Sequence, residues 1–232
     1  MGHELQNAVF LADNMEVMKK FPDKYFDLCV ADPPYFSGPE RRKYYGKAKS
    51  TTGVLRHEYP VTDKWMVPGA EYFREIQRIS KNYIIFGCNY FDFVFDPGRI
   101  VWDKCNGSST FSDCEIAATN CHDSVRLFRY MWNGMMQGKN MVEGATMRGN
   151  KKLNDVRIHP TQKPIDLYRW IFHKYAFPGA KVFDPNVGSG TSRRAAWELG
   201  LEFIGCEIEE KYWKLQEAAY KEHISQERME GI

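Results

Sequence analysis

Short apolar runs alternate along most of the chain with segments of helical period. Residues 8–11, 26–31, 83–87, 180–184 and 202–207 are runs of four to six residues built mainly on Val, Ile, Leu, Phe and Cys. Runs of that length between polar or turn residues read as buried strands. Between them, Tyr72, Phe73, Ile76 and Ile79 share one face of a helix over 71–80, and Leu167, Trp170, Ile171 and Lys174 keep helical spacing over 165–175. Pro164 fits the first turn of the second of these. A helix over 191–199 ends at Gly200, another covers 209–223, and the tail 225–232 is expected to fray. Asp13 stands as N-cap of a short helix carrying Met15 and Met18. Strands alternating with such helices predict an α/β fold with a largely parallel sheet. Residues 99–104 and 114–119 read as two more strands, an antiparallel pair joined through Asn106-Gly107-Ser108-Ser109.

Two intervals lack a period. Residues 36–60 are rich in Gly, Ser and Thr and carry Arg41, Arg42, Lys43, Lys47, Lys49 and Arg56, interleaved with Tyr44 and Tyr45. A loop of this length is functional or mobile, and it can be both. Residues 122–157 mix Phe128, Tyr130, Met131, Trp132, Met135 and Met136 with Arg126, Arg129, Lys139, Arg148, Lys151, Lys152 and Arg157. The bland reading of this second interval is an irregular excursion capping the sheet.

Composition narrows the picture only a little. The 232 residues suit one domain, 1–232, and 43% apolar content is ordinary for a globular chain. The net charge of +2 does not reveal a polyanionic partner, so any basic surface is local. No stretch reaches the length of a membrane span, and no signal-peptide pattern opens the chain. The six cysteines form no CxxC pair, and Cys29, Cys88 and Cys206 lie in apolar runs. They are expected as reduced, buried thiols of a cytosolic protein rather than metal ligands.

The chemistry is concentrated in two stretches. Asp32-Pro33-Pro34-Tyr35 directly follows the strand 26–31, where ligands collect in open α/β sheets. Two prolines fix two φ angles and remove two donors. One carboxylate and one aromatic ring are thus held in fixed relation, a recipe for gripping a planar amino-bearing group. Far downstream, Asp184-Pro185-Asn186-Val187-Gly188-Ser189-Gly190-Thr191 follows another strand and opens a helix. Gly188 and Gly190 let backbone approach a ligand, and Glu207, about twenty residues on, is placed to accept from ribose hydroxyls. A dinucleotide site needs a small residue where Arg193 stands, and no GKS or GKT phosphate loop is present. Adenosine without phosphates fits better.

Together the two stretches resemble the amino methyltransferases, which methylate the exocyclic amino group of adenine or cytosine in DNA using S-adenosylmethionine. Catalytic stretch first and cofactor loop last is the order of their permuted β-class. The resemblance implies a Rossmann-like fold with a mixed sheet of about seven strands, helices on both faces and circularly permuted motif order. It implies Asp32, Pro33, Pro34 and Tyr35 as the catalytic group, with Tyr35 stacking on a base flipped from the duplex. For the cofactor it implies Asp13, Thr161, Lys163, Asp184, Asn186, Gly188, Ser189, Gly190, Thr191, Glu207 and Ile208. Thr161 and Lys163 would meet the cofactor's carboxylate, and Asp13 its adenine amino group. Double-stranded DNA is the implied partner, contacted by the cations of 36–60 and by a short target-recognition insertion at 122–157. A homodimer and a cognate restriction endonuclease are further partners of such enzymes, in the cytoplasm of a prokaryote or encoded by a phage. Aspartate at the head of the catalytic stretch favours adenine N6; cytosine N4 stays as the alternative. Relatives usually carry phenylalanine where Asn186 stands, so a catalytically impaired DNA- or cofactor-binding module is also left open.

Overall fold

The fold is taken from a computed structural model, which describes residues 7–35, 65–106, 112–133, 136–138 and 155–230. Ten strands are seen: β1 (Asn7–Leu11), β2 (Phe26–Ala31), β3 (Ser80–Phe86), β4 (Gly98–Asp103), β5 (Cys114–Thr119), β6 (Val125–Arg129), β7 (Trp132–Asn133), β8 (Met136–Gln137), β9 (Lys181–Asp184) and β10 (Glu202–Glu207). The helices are α1 (Asn14–Met18), α2 (Ala70–Ile79), α3 (Ile165–Tyr175), α4 (Thr191–Glu198) and α5 (Glu210–Glu230). Eight strands form one sheet in the order β1-β10-β9-β2-β3-β5-β4-β6, and β7 and β8 pair apart from it. Every neighbouring pair is parallel except the two that β5 makes. One reversed strand therefore makes the sheet mixed, and the expected 99–104/114–119 hairpin supplies it.

The alternation of side chains explains the layers. Along β2, Leu28 and Val30 join the cluster under α3 and α4, while Cys29 and Ala31 join the cluster under α1 and α2. Ile84 and Phe86 against Tyr83 and Ile85 repeat the division on β3. Both faces are covered, which is why these strands read as near-continuous apolar runs. On α2, Tyr72, Phe73, Ile76 and Ile79 are all buried, as their spacing requires.

Several elements depart from expectation. The sheet carries one strand more than the seven expected, because 125–129, read as part of an irregular interval, pairs with β4 as β6. Val125 and Leu127 are exposed, so the edge strand has no buried face to give it a legible period. Residues 225–230 are not frayed but continue α5, whose polar residues have good helix propensity. Pro164 is the N-cap of α3 rather than a residue of its first turn. Cys88 lies in a 3-10 turn at Cys88–Tyr90 and is half-buried, whereas Cys29 and Cys206 are buried as expected. No described helix is long and apolar enough to cross a membrane.

Candidate functional site

The chain leaves β9 towards β10 on one side and leaves β2 towards β3 on the other, so the strand order reverses between β9 and β2. A crevice opens outside the carboxyl ends of strands at such a point. Cys29 of β2 registers with Phe183 of β9, so Asp32 and Asn186 each follow three residues beyond that pair. The two stretches singled out in the sequence thus meet across the crevice.

Asp32 is held by two partners on one oxygen. The Tyr35 hydroxyl donates to Asp32 Oδ1 at 2.5 Å, and Lys163 Nζ lies 2.5 Å from the same atom. Lys163 also donates to the Tyr35 hydroxyl at 3.2 Å and stands 2.9 Å from Glu115 Oε2. Among the described residues nothing donates to Asp32 Oδ2. Burial raises the Asp32 carboxyl above its ordinary range, with Glu115 adding to the rise and Lys163 and Tyr35 opposing it. The Tyr35 ring stacks on Tyr90 at 5.1 Å and 11°. Its edge lies against Gly87, which has φ +70 and begins the 3-10 turn after β3; a Cβ there would overlap the ring. Only glycine meets both demands.

The loop after β9 is tied together internally. Asp184 Oδ1 accepts from the Asn186 amide at 2.8 Å and Oδ2 from the Ser192 hydroxyl at 2.5 Å. Burial pushes the Asp184 carboxyl up to about 7. Glu207 closes the loop from the next strand, its Oε2 accepting from the Gly188 amide at 2.9 Å and its Oε1 from the Glu209 amide at 2.8 Å. Ser189 and Thr191 hydroxyls are 2.7 Å apart, and Gly188 and Gly190 have φ +53 and +71. Ile208 follows Glu207 at the rim, 39% exposed. Asp13 caps α1 as expected, accepting from the Met15 amide at 2.8 Å and the Glu16 amide at 3.3 Å. Asn14 Nδ2 donates to the Pro185 carbonyl at 3.2 Å and joins that turn to the loop.

Other predicted residues fall variously. Thr161 is exposed, with its hydroxyl 3.2 Å from His159 Nδ1. Lys163, expected at the cofactor's carboxylate, has its ammonium against Asp32, Glu115 and Tyr35. Asn186 is not a stray polar group, because the buried Tyr72 hydroxyl donates to its Oδ1. Arg193 is buried and structural: it binds Asn7, Gln216 and Glu217 and lies over Tyr220. Arg41, Arg42, Lys43, Lys47, Lys49 and Arg56 lie outside the described residues, as do residues 139–154. Sequence reasoning missed Glu115, Lys104 and Tyr72. A lone acid in the apolar run of β5 was the only signal for Glu115.

Electrostatics limit the ligand. Asp13, Asp32 and Glu207 stand at or just beyond the carboxyl ends of β1, β2 and β10, and Lys163 is already paired with carboxylate. Pyrophosphate would be repelled; hydroxyls and a cation suit such a mouth.

A model of the N6/N4 methyltransferase family, described as DNA methylase, matches residues 26–219. The chain belongs to this family. As a DNA methylase it is 26% identical over 258 residues to the type II methyltransferase M.HinfI of Haemophilus influenzae, covering 95% of this chain and 70% of that one. Its fold resembles that of M1.HpyAVI, solved in complex with SAM, with a TM-score of 0.52 at 20% identity, over 91% of this chain and 98% of that one. The cytosine-N4-specific PvuII DNA methyltransferase shares the fold too, with a TM-score of 0.51 at 14% identity, over 87% and 82%.

Proposed function

We propose that this methylase transfers the methyl group of S-adenosylmethionine to the N6 amino group of an adenine flipped out of double-stranded DNA. The observation that carries the reading is Asp32, fixed through Oδ1 beside the loop of β9, with Oδ2 turned to no described partner. Fit to the cofactor rests on the crevice itself. The carboxylate of Glu207 and two loop glycines at positive φ suit an adenosine bearing a positive sulfonium rather than a phosphate. Glu207 would take the ribose, Asp13 the adenine amino group, and Asp184, Asn186, Gly188, Ser189, Gly190 and Thr191 would form the wall, with Thr161 and Ile208 at the rim.

The exocyclic nitrogen of adenine is a weak nucleophile because its lone pair is delocalised into the ring. Donation of its N–H groups to Asp32 Oδ2 and the Pro33 carbonyl favours tetrahedral nitrogen and localises the pair. The cofactor supplies a methyl group already activated by its sulfonium. Asp32 holds the nitrogen in line, stabilises the positive charge that grows on it and accepts the departing proton. Tyr35 supplies the aromatic edge of the base pocket, and the cations of residues 36–60 the phosphate contacts.

Cytosine N4 is the second reading, because cytosine offers Asp32 the same amino group beside a ring nitrogen. The test is incubation with methyl-labelled S-adenosylmethionine and unmethylated duplex DNA, followed by mass spectrometry of the nucleosides. Methyladenine from the wild type, reduced about 100-fold or more by Asp32→Ala, is expected. Methylcytosine would move the reading to the second base, and no product on varied DNA would overturn both.

A further inference from the structure

Glu115 reaches the Asp32 end of the crevice because β5 runs against its neighbours, which brings its first residues to the carboxyl edge of β3. Lys104, just beyond β4, arrives at the same edge, and its Nζ lies 2.5 Å from Glu115 Oε1. Glu115 Oε2 faces Lys163 Nζ at 2.9 Å, and Lys163 Nζ lies 2.5 Å from Asp32 Oδ1. The ammonium of Lys163 sits 4.8 Å from the Phe86 ring centre, with its side chain 3% exposed. An ammonium has three hydrogens, and three oxygens surround this one: Asp32 Oδ1 at 2.5 Å, Glu115 Oε2 at 2.9 Å and the Tyr35 hydroxyl at 3.2 Å.

We propose that Lys163 and Glu115 are positioning residues for Asp32. Lys163 anchors Oδ1 so that Oδ2 addresses the amino nitrogen, and Glu115 holds Lys163 from the opposite side. The inference rests on the reading of Asp32 given above. A lone lysine would form a closed ion pair with Asp32 and spoil it as an acceptor. Sharing the cation with Glu115 keeps the carboxylate oriented and still basic. The row Asp32, Lys163, Glu115, Lys104 alternates in sign and sums to zero, so its burial leaves no uncompensated charge. It also assigns Lys163 to the base end of the crevice rather than to the cofactor.

The groups facing Asp32 are Lys163 and Tyr168 from α3 and the turn before it, Glu115 from β5, Asp184 from β9, Tyr72 from α2 and its own neighbour Tyr35. Removing the lysine charge should raise the Asp32 titration midpoint, and removing the Glu115 charge should lower it. The experiment follows the Asp32 carboxyl by 13C NMR in aspartate-labelled protein, assigned by its loss in D32N. Lys163→Met should move the midpoint up and Glu115→Gln should move it down. The affinity for S-adenosylmethionine, read by calorimetry on the same samples, should stay within about twofold, and single-turnover methyl transfer should fall about tenfold or more in K163M. K163M leaves two carboxylates facing each other; if it does not fold, E115Q and the charge-balanced double variant K163M/E115Q carry the test. Unmoved midpoints would overturn the proposal, as would a K163M that loses cofactor affinity with the Asp32 midpoint unchanged. Absence of methylated nucleosides from the wild type would sink the methyltransferase reading separately, while the midpoints still decide this one.

Discussion

Asp184 is 2% exposed and hydrogen-bonded through both oxygens, yet its carboxyl is pushed up to about 7, because burial outweighs Ser192 and the Asn186 amide. Its unfolded value is that of an ordinary carboxyl, 3.8. Between those two values the folded chain binds more protons than the unfolded one, so stability falls as pH rises through this window. The whole span is worth on the order of 4 kcal/mol as an upper figure. Asp184→Asn keeps the shape and both neighbours while removing the titration. Melting temperatures from pH 4 to 7 should therefore fall less with pH in the variant than in the wild type; parallel curves would refute the assignment. At this scale the turn Asp32-Pro33-Pro34-Tyr35 at the end of β2 and the loop glycines after β9 were legible as local structure, because proline, glycine and a strand end constrain the backbone locally. Glu115 and Tyr72 were not. Their partners Lys163 and Asn186 lie 48 and 114 residues further along the chain, and only the sheet brings them together.

The turn after β3 shows what an element contributes. Gly87 takes a left-handed conformation, its amide donates to the Ile116 carbonyl at 2.9 Å, and its α-carbon lies against the Tyr35 ring. That turn also carries Tyr90, the ring stacked on Tyr35. An alanine there costs about 1–2 kcal/mol for the backbone alone and displaces the Tyr35 ring as well. Gly87→Ala should lower the melting temperature and reduce methyl transfer while leaving cofactor affinity intact. A variant with full activity would show that the Tyr35 position is not critical. Elements with a buried stripe, such as α2, α3 and β10, were legible almost to their bounds, since burial on a regular period is what sequence displays. β6 escaped because an exposed edge strand shows no alternation, and the far end of α5 because a polar helix shows no stripe.

For the molecule as a whole, the crossing point between β9 and β2 divides the crevice into two ends. The loop of β9, Glu207 of β10 and the α1 cap of Asp13 belong to one end, and Asp32, Tyr35, Lys163 and Glu115 to the other. If the division is functional, cofactor binding should survive loss of the other end. A ligand that binds only the folded chain at about 100 times its Kd adds about 2.7 kcal/mol, which in a domain of this size raises the melting temperature by about 5–10 °C. S-adenosylmethionine should produce that rise in the wild type and nearly all of it in Asp32→Ala. Glu207→Ala removes the acceptor that holds the Gly188 amide and should abolish the rise, whatever it does to the unliganded melting temperature. The increment, not the absolute value, therefore separates binding from folding. If Asp32→Ala lost the increment as well, Asp32 would belong to the cofactor's own site, and the division of the crevice into a cofactor end and a base end would fail.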